Sequence, residues 1–463
     1  MVSPDLKSPS SSSFHTSSPN RHHNKPTSFH LTDTFVFLTG SMVALLLFWA
    51  FWSLFNPVPT TTQTSNLSSF PQPESQPQQQ QQPNNPQFIS PTANLRHDPP
   101  NPTFYDDPNL SYSIDDKIKD WDQKRHQWLS LHPSFAAGVQ ERILLVTGSQ
   151  PSPCRNPIGD HFLLRFFKNK VDYCRIHSYD IFYNNALFHP KMTTFWAKLP
   201  LVRSAMITHP EAEWIWWVDS DAAFTDMEFK LPLDRYRDSN LIVHGWSHLV
   251  YEKKSWVSLN AGIFLIRNCQ WSMDFMDVWA SMGPQTPDYD TWSKIQKATL
   301  PDKFFPQADD QSALVYLLLK QKEKWADKIY LESEFYFEGY WEEIVGVLDN
   351  STEKYREIEK NEPKLRRRHA EKVSECYAEL REKYLKQAGY GLGSWRRPFI
   401  THFTGCQPCS GDHNQLYSAE NCWNGMQKVL NFADNQVLRN YGLIRRDLLD
   451  SNFLSPLPFD SPA

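Results

Sequence analysis

Residues 213–224 read EWIWWVDSDAAF, an almost wholly apolar run that ends at Asp219-Ser220-Asp221. A short apolar run without alternation suits a strand covered on both faces, as in parallel-rich sheets. Two acids at i and i+2 share one face if the strand continues through them. At the carboxyl end of a parallel strand that face opens on the crevice where α/β sheets bind ligands. Two bare carboxylates there are costly to leave unpaired. A divalent cation removes the cost, and oxygen ligands suit Mn2+ or Mg2+. Such ions take few protein carboxylates and complete their shell from substrate phosphates, so the run predicts a metal site for a phosphorylated substrate. A pair of turn or helix-capping aspartates is the plainer alternative.

The surrounding pattern agrees with such a sheet. Residues 142–148, 180–183, 214–218, 241–244 and 262–266 have strand character, and 159–170 and 196–209 carry apolar residues at helical spacing. Strands alternating with helices predict an α/β fold, a Rossmann-like mixed sheet with helices on both faces. No internal repeat is present. A charged segment at about 348–388 holds Pro363 and then an amphipathic pattern, with Ala370, Val373, Tyr377, Leu380 and Tyr384 on one face. A solvated helix capping the domain is the plain reading, and a partner-binding helix the other. The chain has 463 residues, 40% of them hydrophobic, so one large core is within reach. A net charge of −5 and the lack of a basic stripe exclude nucleic acid as a partner. The abundant aromatics, 17 Trp and 30 Phe, suit either a large core or a carbohydrate-binding surface.

Residues 34–55 carry no charge, and about 20 apolar residues cross a bilayer as a helix. Lys7, Arg21 and Lys25 precede the run, and no Lys or Arg follows it until Arg96. The positive-inside rule then predicts a cytosolic tail (1–33), a signal anchor (34–55), a disordered luminal stem (56–102) and a luminal catalytic domain (103–463). Three sequons, at Asn66, Asn109 and Asn350, agree with a luminal address and mark a glycoprotein. Seven cysteines in an oxidising lumen should pair in part and leave at least one free. Cys406 and Cys409 form a lone CxxC, which predicts a structural disulfide, with Cys422 as a further candidate, rather than zinc.

Two enzyme chemistries use acids in this spacing. A phosphohydrolase of the haloacid-dehalogenase type places Thr or Val where this chain has Ala223. A nucleotide-sugar glycosyltransferase uses an Asp-x-Asp pair and a metal as Lewis acid and template. His402, in ITHFTGC, is the candidate third ligand, since imidazole suits Mn2+ and the residue lies in an apolar, strand-like run.

The motifs VTGSQPSPC (146–154), GDHFLLRFFKNKVDYC (159–174), FWAKLP (195–200), EWIWWVDSDAAFTDM (213–227), LNAGIFLIRNCQWS (259–272), ADDQSAL (308–314), THFTGCQPC (401–409) and NFADNQV (431–437) occur in this order. In them the chain resembles the plant Golgi glycosyltransferases of family 34, the xyloglucan α-1,6-xylosyltransferases and galactomannan α-1,6-galactosyltransferases. The resemblance implies a GT-A fold, a UDP-sugar donor, Mn2+ and retention at the anomeric carbon. It implies that Asp219, Asp221 and His402 hold the metal and that Gly148 and Ser149 line the uridine pocket. Ser220 would face the ribose, Asn260 and Gly262 would shape the sugar pocket, and Gly405 would approach the diphosphate. Asp309, Asp310 and Gln311 would sit by the reacting carbon and the acceptor.

Xylosyltransferases of the family read LNTG and carry Lys two residues after the glycine of THFxG; this chain has Ala261 and Gln407 at those places. Residues 365–375 resemble an insertion of the galactosyltransferase branch. The resemblance therefore implies galactose transfer from UDP-galactose to a β-1,4-mannan, giving galactomannan, with UDP-xylose and a β-1,4-glucan as the alternative pair. It also implies a single-span type II protein of the Golgi membrane, in homo- or hetero-oligomers if it joins larger assemblies. A non-catalytic scaffold in a polysaccharide-synthesis complex is the reading from another class.

Overall fold

The computed structural model describes residues 101–366, 371–450 and 452–458, so the tail, the anchor and all but the end of the stem lie outside the described residues. The strands are β1 (Ile143–Gly148), β2 (Asp180–Asn184), β3 (Trp214–Val218), β4 (Ala222–Phe224), β5 (Leu241–Gly245), β6 (Leu259–Arg267), β7 (Ile329–Glu332) and β8 (Ile400–His402). Six of them form one sheet in the order β2-β1-β3-β6-β5-β7, and β4 pairs separately with β8. Within the large sheet only β6 runs against its neighbours β3 and β5; the pairs β1–β2, β1–β3 and β5–β7 are parallel. The architecture is a mixed, parallel-rich α/β sheet.

The longer helices are α1 (Trp121–Leu131), α2 (Gly159–His177), α3 (Lys198–Thr208), α4 (Gln270–Ala280), α5 (Tyr289–Thr299), α6 (Asp310–Lys320), α7 (Leu348–Asn361), α8 (Ser374–Leu385) and α9 (Ala419–Leu438). Side chains alternate across each strand, and both faces of the sheet are covered. Leu144, Val146, Ile215, Trp217, Phe264 and Ile266 pack with α3, α4 and α6. Ile143, Leu145, Trp214, Trp216, Ile263 and Leu265 pack on the other face with Tyr173 and Ile176 of α2 and Ala433 and Val437 of α9. That double cover explains why WIWWV has no polar residue in it.

Several boundaries differ from the sequence reading. The helix expected over 159–170 continues to His177, because Tyr173, Cys174 and Ile176 keep the buried spacing. The helix expected over 196–209 starts as a 3-10 turn, Thr194–Ala197, and becomes α3 at Lys198, with Pro200 in its first turn, where a missing amide costs little. Between α7 and α8 stands Pro363. The apolar face expected along the second helix is buried only in part: Tyr377 and Tyr384 pack against Tyr355, Ile358, Leu365 and Leu385, but Leu380 is 49% exposed, whereas Arg381 is 1% exposed. Arg381 is taken inside by charge, pairing with Glu228 and with Glu359 at 3.4 Å. Ala370 lies outside the described residues.

Two disulfides are present, Cys154–Cys409 and Cys406–Cys422, and Cys174, Cys269 and Cys376 are free. The CxxC cysteines thus pair outward rather than with each other. Together the bridges tie the loop after β8 to the loop after β1 and to α9. Among the described residues no helix is long and apolar enough to cross a membrane.

Beside the Arg381 network, burial pushes the Asp226 carboxyl up to about 6, with Arg397 opposing. A folded value above the unfolded one gives stability that is full at acid pH and lost as pH rises through about 6. Asp226→Asn is therefore expected to flatten the fall in Tm between about pH 4 and 6.5, measured by thermal unfolding of both proteins across that range.

Candidate active site

β3 ends at Val218, and Asp219-Ser220-Asp221 forms the turn into β4 rather than a continuation of the strand. The pair therefore does not share a face by strand alternation, which corrects the argument made from spacing. The turn is set by its backbone: the Asp219 N–H donates to the Gly262 carbonyl at 2.9 Å, and the Ala222 N–H to the Asp219 carbonyl at 3.2 Å. Beneath it the buried Lys170 of α2 donates to the carbonyls of Ser220, at 3.3 Å, and Ala222, at 2.6 Å. Burial lowers the Lys170 ammonium to about 7, against the pull of Asp221 and Asp219.

The β4–β8 pairing sets Ala222 opposite His402, which delivers the imidazole to the turn from far along the chain. His402 Nε2 lies 3.4 Å from Asp221 and 3.8 Å from Asp219. One ligand atom from each of the three residues falls within 4.8 Å of the others. On its other side, His402 Nδ1 is 3.1 Å from the buried Glu338 carboxylate. That bond fixes the ring and turns Nε2 toward the acids, as a carboxylate does behind a metal-bound histidine. Burial alone would keep the ring neutral, but Asp221 and Glu338 raise it to about 10. A site that draws a proton so firmly is short of positive charge. Two half-buried carboxylates and one buried imidazole nitrogen fit a divalent ion such as Mn2+.

Gly262 closes the wall behind this group. A Cβ on it would lie 2.4 Å from His402 Cε1, 2.7 Å from Asp219 Oδ2 and 2.9 Å from Asn260 Oδ1. Asn260 Oδ1 accepts from the Gly262 N–H at 2.7 Å, so both expected sugar-pocket residues abut the triad.

Asp310 and Gln311, at the start of α6, join the same site through intermediaries. The buried Lys198 stands 2.9 Å from Asp310 and 3.4 Å from Asp219, and donates to the Ala261 carbonyl at 3.0 Å. Burial raises the Asp310 carboxyl to about 6, with Lys198 opposing. Gln311 accepts from the Ala261 N–H at 3.2 Å and donates to the Trp256 carbonyl at 2.9 Å. Asp309 does something else. It caps α6, accepting from the Ser312 N–H at 2.8 Å and the Ser312 hydroxyl at 2.5 Å, and it pairs with the buried Lys303. Its carboxylate is thus engaged by the helix start and by Lys303.

The parallel register of β1 and β3 runs from Ile143–Trp214 to Val146–Trp217, so Gly148 finishes its strand at the same end of the sheet as Asp219. A Cβ on Gly148 would come within 2.3 Å of the Asn184 carbonyl, so the close approach of β2 by itself requires the glycine. The Ser149 hydroxyl is 2.7 Å from the Tyr183 hydroxyl. Ser220 is half-buried in the acidic turn. Gly405, at φ +82°, takes a backbone shape that other residues resist, and a side chain there would also meet Tyr417 at 2.8 Å. Glu338, Lys170 and Lys198 were missed. Lys198 stands in the quoted FWAKLP motif; Lys170, on an amphipathic helix beside Lys168, looks like one more solvated charge, and Glu338 carries no signal.

A family model described as the galactosyl transferase GMA12/MNN10 family matches residues 139–413. Galactomannan galactosyltransferase 1 of Cyamopsis tetragonoloba is 58% identical over 92% of this chain and 95% of its own. Glycosyltransferase 6 of Arabidopsis thaliana is 56% identical over 93% of this chain and 96% of its own. The protein named "Probable xyloglucan 6-xylosyltransferase 3" of Arabidopsis thaliana is 47% identical over 74% of this chain and 68% of its own. With more than half of its length matched and relatives aligned almost end to end, this chain belongs to the galactosyl transferase GMA12/MNN10 family.

Proposed function

We propose that the protein transfers galactose from UDP-galactose in α-1,6 linkage to a β-1,4-mannan backbone. The observation that carries this reading is its 58% identity to the Cyamopsis galactomannan galactosyltransferase along nearly the whole of both chains. The parallel-rich sheet, with an acidic turn at the carboxyl end of its inner strand β3, supports a GT-A-type fold. Asp219, Asp221 and His402 would hold Mn2+, with Mg2+ as the other ion such oxygens accept. Bound there, the ion would offset the charge gathering on the departing diphosphate. The uncharged run 34–55 and the basic residues before it support a single-span anchor in the Golgi membrane, with residues 103–463 in the lumen.

The chain's own residues have defined tasks in this reading. Glu338 orients the His402 ring. Lys198 ties Asp219 to Asp310, and Gln311 locks the Ala261 backbone beside the sugar pocket. Gln311 is held by two backbone groups and Asp310 is buried against Lys198, so neither stands as a free nucleophile. That favours retention by attack on the leaving group's own face: the sugar–phosphate bond breaks as the acceptor oxygen bonds to the anomeric carbon, and the acceptor's proton passes to the departing phosphate oxygen.

Glu338→Gln is expected to weaken Mn2+ binding about ten- to a hundredfold, read as the Mn2+ concentration that restores half of the transfer rate.

The test of function offers the full-length protein UDP-galactose and UDP-xylose, each against manno- and gluco-oligosaccharides. Galactose on mannan is the expected product. Xylose on glucan alone, the reaction suggested by the xylosyltransferase-named relative, would overturn the reading. Ala261 is 1% exposed and packed into the core, so Ala261→Thr would press on the pocket from below and should lower the preference for galactose over xylose.

A further inference from the structure

Gln311 holds the carbonyl of Trp256, and Asp309 holds Lys303. Both bonds run from the start of α6 to one cluster of rings. Trp256, Phe304 and Phe305 pack edge to face, with centroids 5.5, 5.5 and 5.1 Å apart, and the Lys303 ammonium sits 3.4 Å from the Phe305 centroid. The backbone of the cluster is fixed as well, since the Trp256 N–H donates to Asp302 at 2.9 Å. The cluster is nevertheless open: Phe304 is 71% exposed, and Val257 beside Trp256 is 51% exposed. Apolar surface that is braced by buried ion pairs and hydrogen bonds, yet left in water, marks a ligand surface rather than a loose loop. None of these residues belongs to the group of Asp219, Asp221 and His402, but Gln311 links the cluster directly to the Ala261–Gly262 backbone that abuts that group.

We propose that Trp256, Phe304, Phe305 and Val257 form a stacking platform for the β-1,4-linked hexose chain that receives the sugar. The inference rests on the transfer reading for its choice of ligand. Pyranose rings carry C–H groups on their faces, and these lie flat on aromatic rings, while the ring hydroxyls stay in water at the edges. A polymer needs such a surface beside the reacting centre, because one hydroxyl must be presented while the rest of the chain continues past. Asp309 then has a positioning role: it anchors Lys303 and so fixes the platform to the helix that carries Asp310 and Gln311.

The test measures binding of β-1,4-mannohexaose and cellohexaose to the full-length protein by calorimetry. Phe304→Ser is expected to weaken binding about tenfold, the value of one aromatic contact, and Phe304→Tyr, which keeps the ring, by less than about twofold. In transfer assays the same factor should appear in the acceptor KM and not in the donor KM. Equal affinity of wild type and Phe304→Ser, or equal loss in both variants, would overturn the platform. A protein that binds the hexaose through Phe304 but transfers no galactose would refute the transfer reading and leave the platform standing.

Discussion

Gly262→Ala is expected to cut transfer about a hundredfold or more, since displacing catalytic groups by about 1 Å is worth that much. The added carbon has nowhere to go, with His402 Cε1 at 2.4 Å and Asp219 Oδ2 at 2.7 Å. The imidazole cannot swing aside freely, because Glu338 holds its far nitrogen and β8 its backbone. Asp219 cannot retreat freely either, because its N–H is bonded to the Gly262 carbonyl and its Oδ1 accepts from Trp217 Nε1 at 2.6 Å. One of two ligands must therefore leave its place. The fold should persist, since Gly262 lies within a nine-residue strand whose remaining contacts are untouched. Transfer kinetics with Mn2+ titration, alongside thermal unfolding, check both halves: activity collapses while Tm falls by only a few degrees, the usual cost of one overpacked carbon.

Arg381→Met is expected to cost about 3–5 kcal/mol, the usual result of removing one partner of a buried ion pair. Arg381 is the hub between Glu228, Glu359 and the ring of Tyr355. Burial would raise the Glu228 carboxyl, but Arg381, with Arg397 and Arg439, holds it below its ordinary range. A depressed folded value means stability that is present above the unfolded carboxylate range and lost as pH falls through the folded one. The variant should thus be weakest near neutral pH, with a Tm lower by roughly 5–10 °C, and the deficit should shrink in acid as the stranded carboxylate takes up a proton. A neutral-pH Tm equal to that of the wild type would show that the network contributes nothing.

What could be read from the sequence was local. The WIWWV run announced a strand covered on both faces, and the two acids after it announced a site for a cation. The turn geometry that carries those acids could not be read, because it depends on Gly262 and Lys170, which come from other elements. The pairing of β4 with β8 is also non-local, so His402 could be named as a candidate but not Glu338 behind it. Asp309 and Asp310 looked alike as neighbours in ADDQ. The start of α6 falls between them, so one turns back to cap the helix and the other faces Lys198. In α8 a count of apolar residues favoured Leu380, while charge complementarity across the fold buried Arg381 instead. An amphipathic pattern contains no information about a carboxylate waiting on another helix.

The account depends most on the group formed by Asp219, Asp221 and His402. Its most direct test follows galactose transfer from UDP-galactose to a manno-oligosaccharide by the full-length protein, first stripped by chelator and then supplied with Mn2+. Transfer should vanish on stripping and return with the ion in the wild type, and should not return when Asp219→Asn and Asp221→Asn are combined. Undiminished transfer in chelator, or by the double variant, would contradict it.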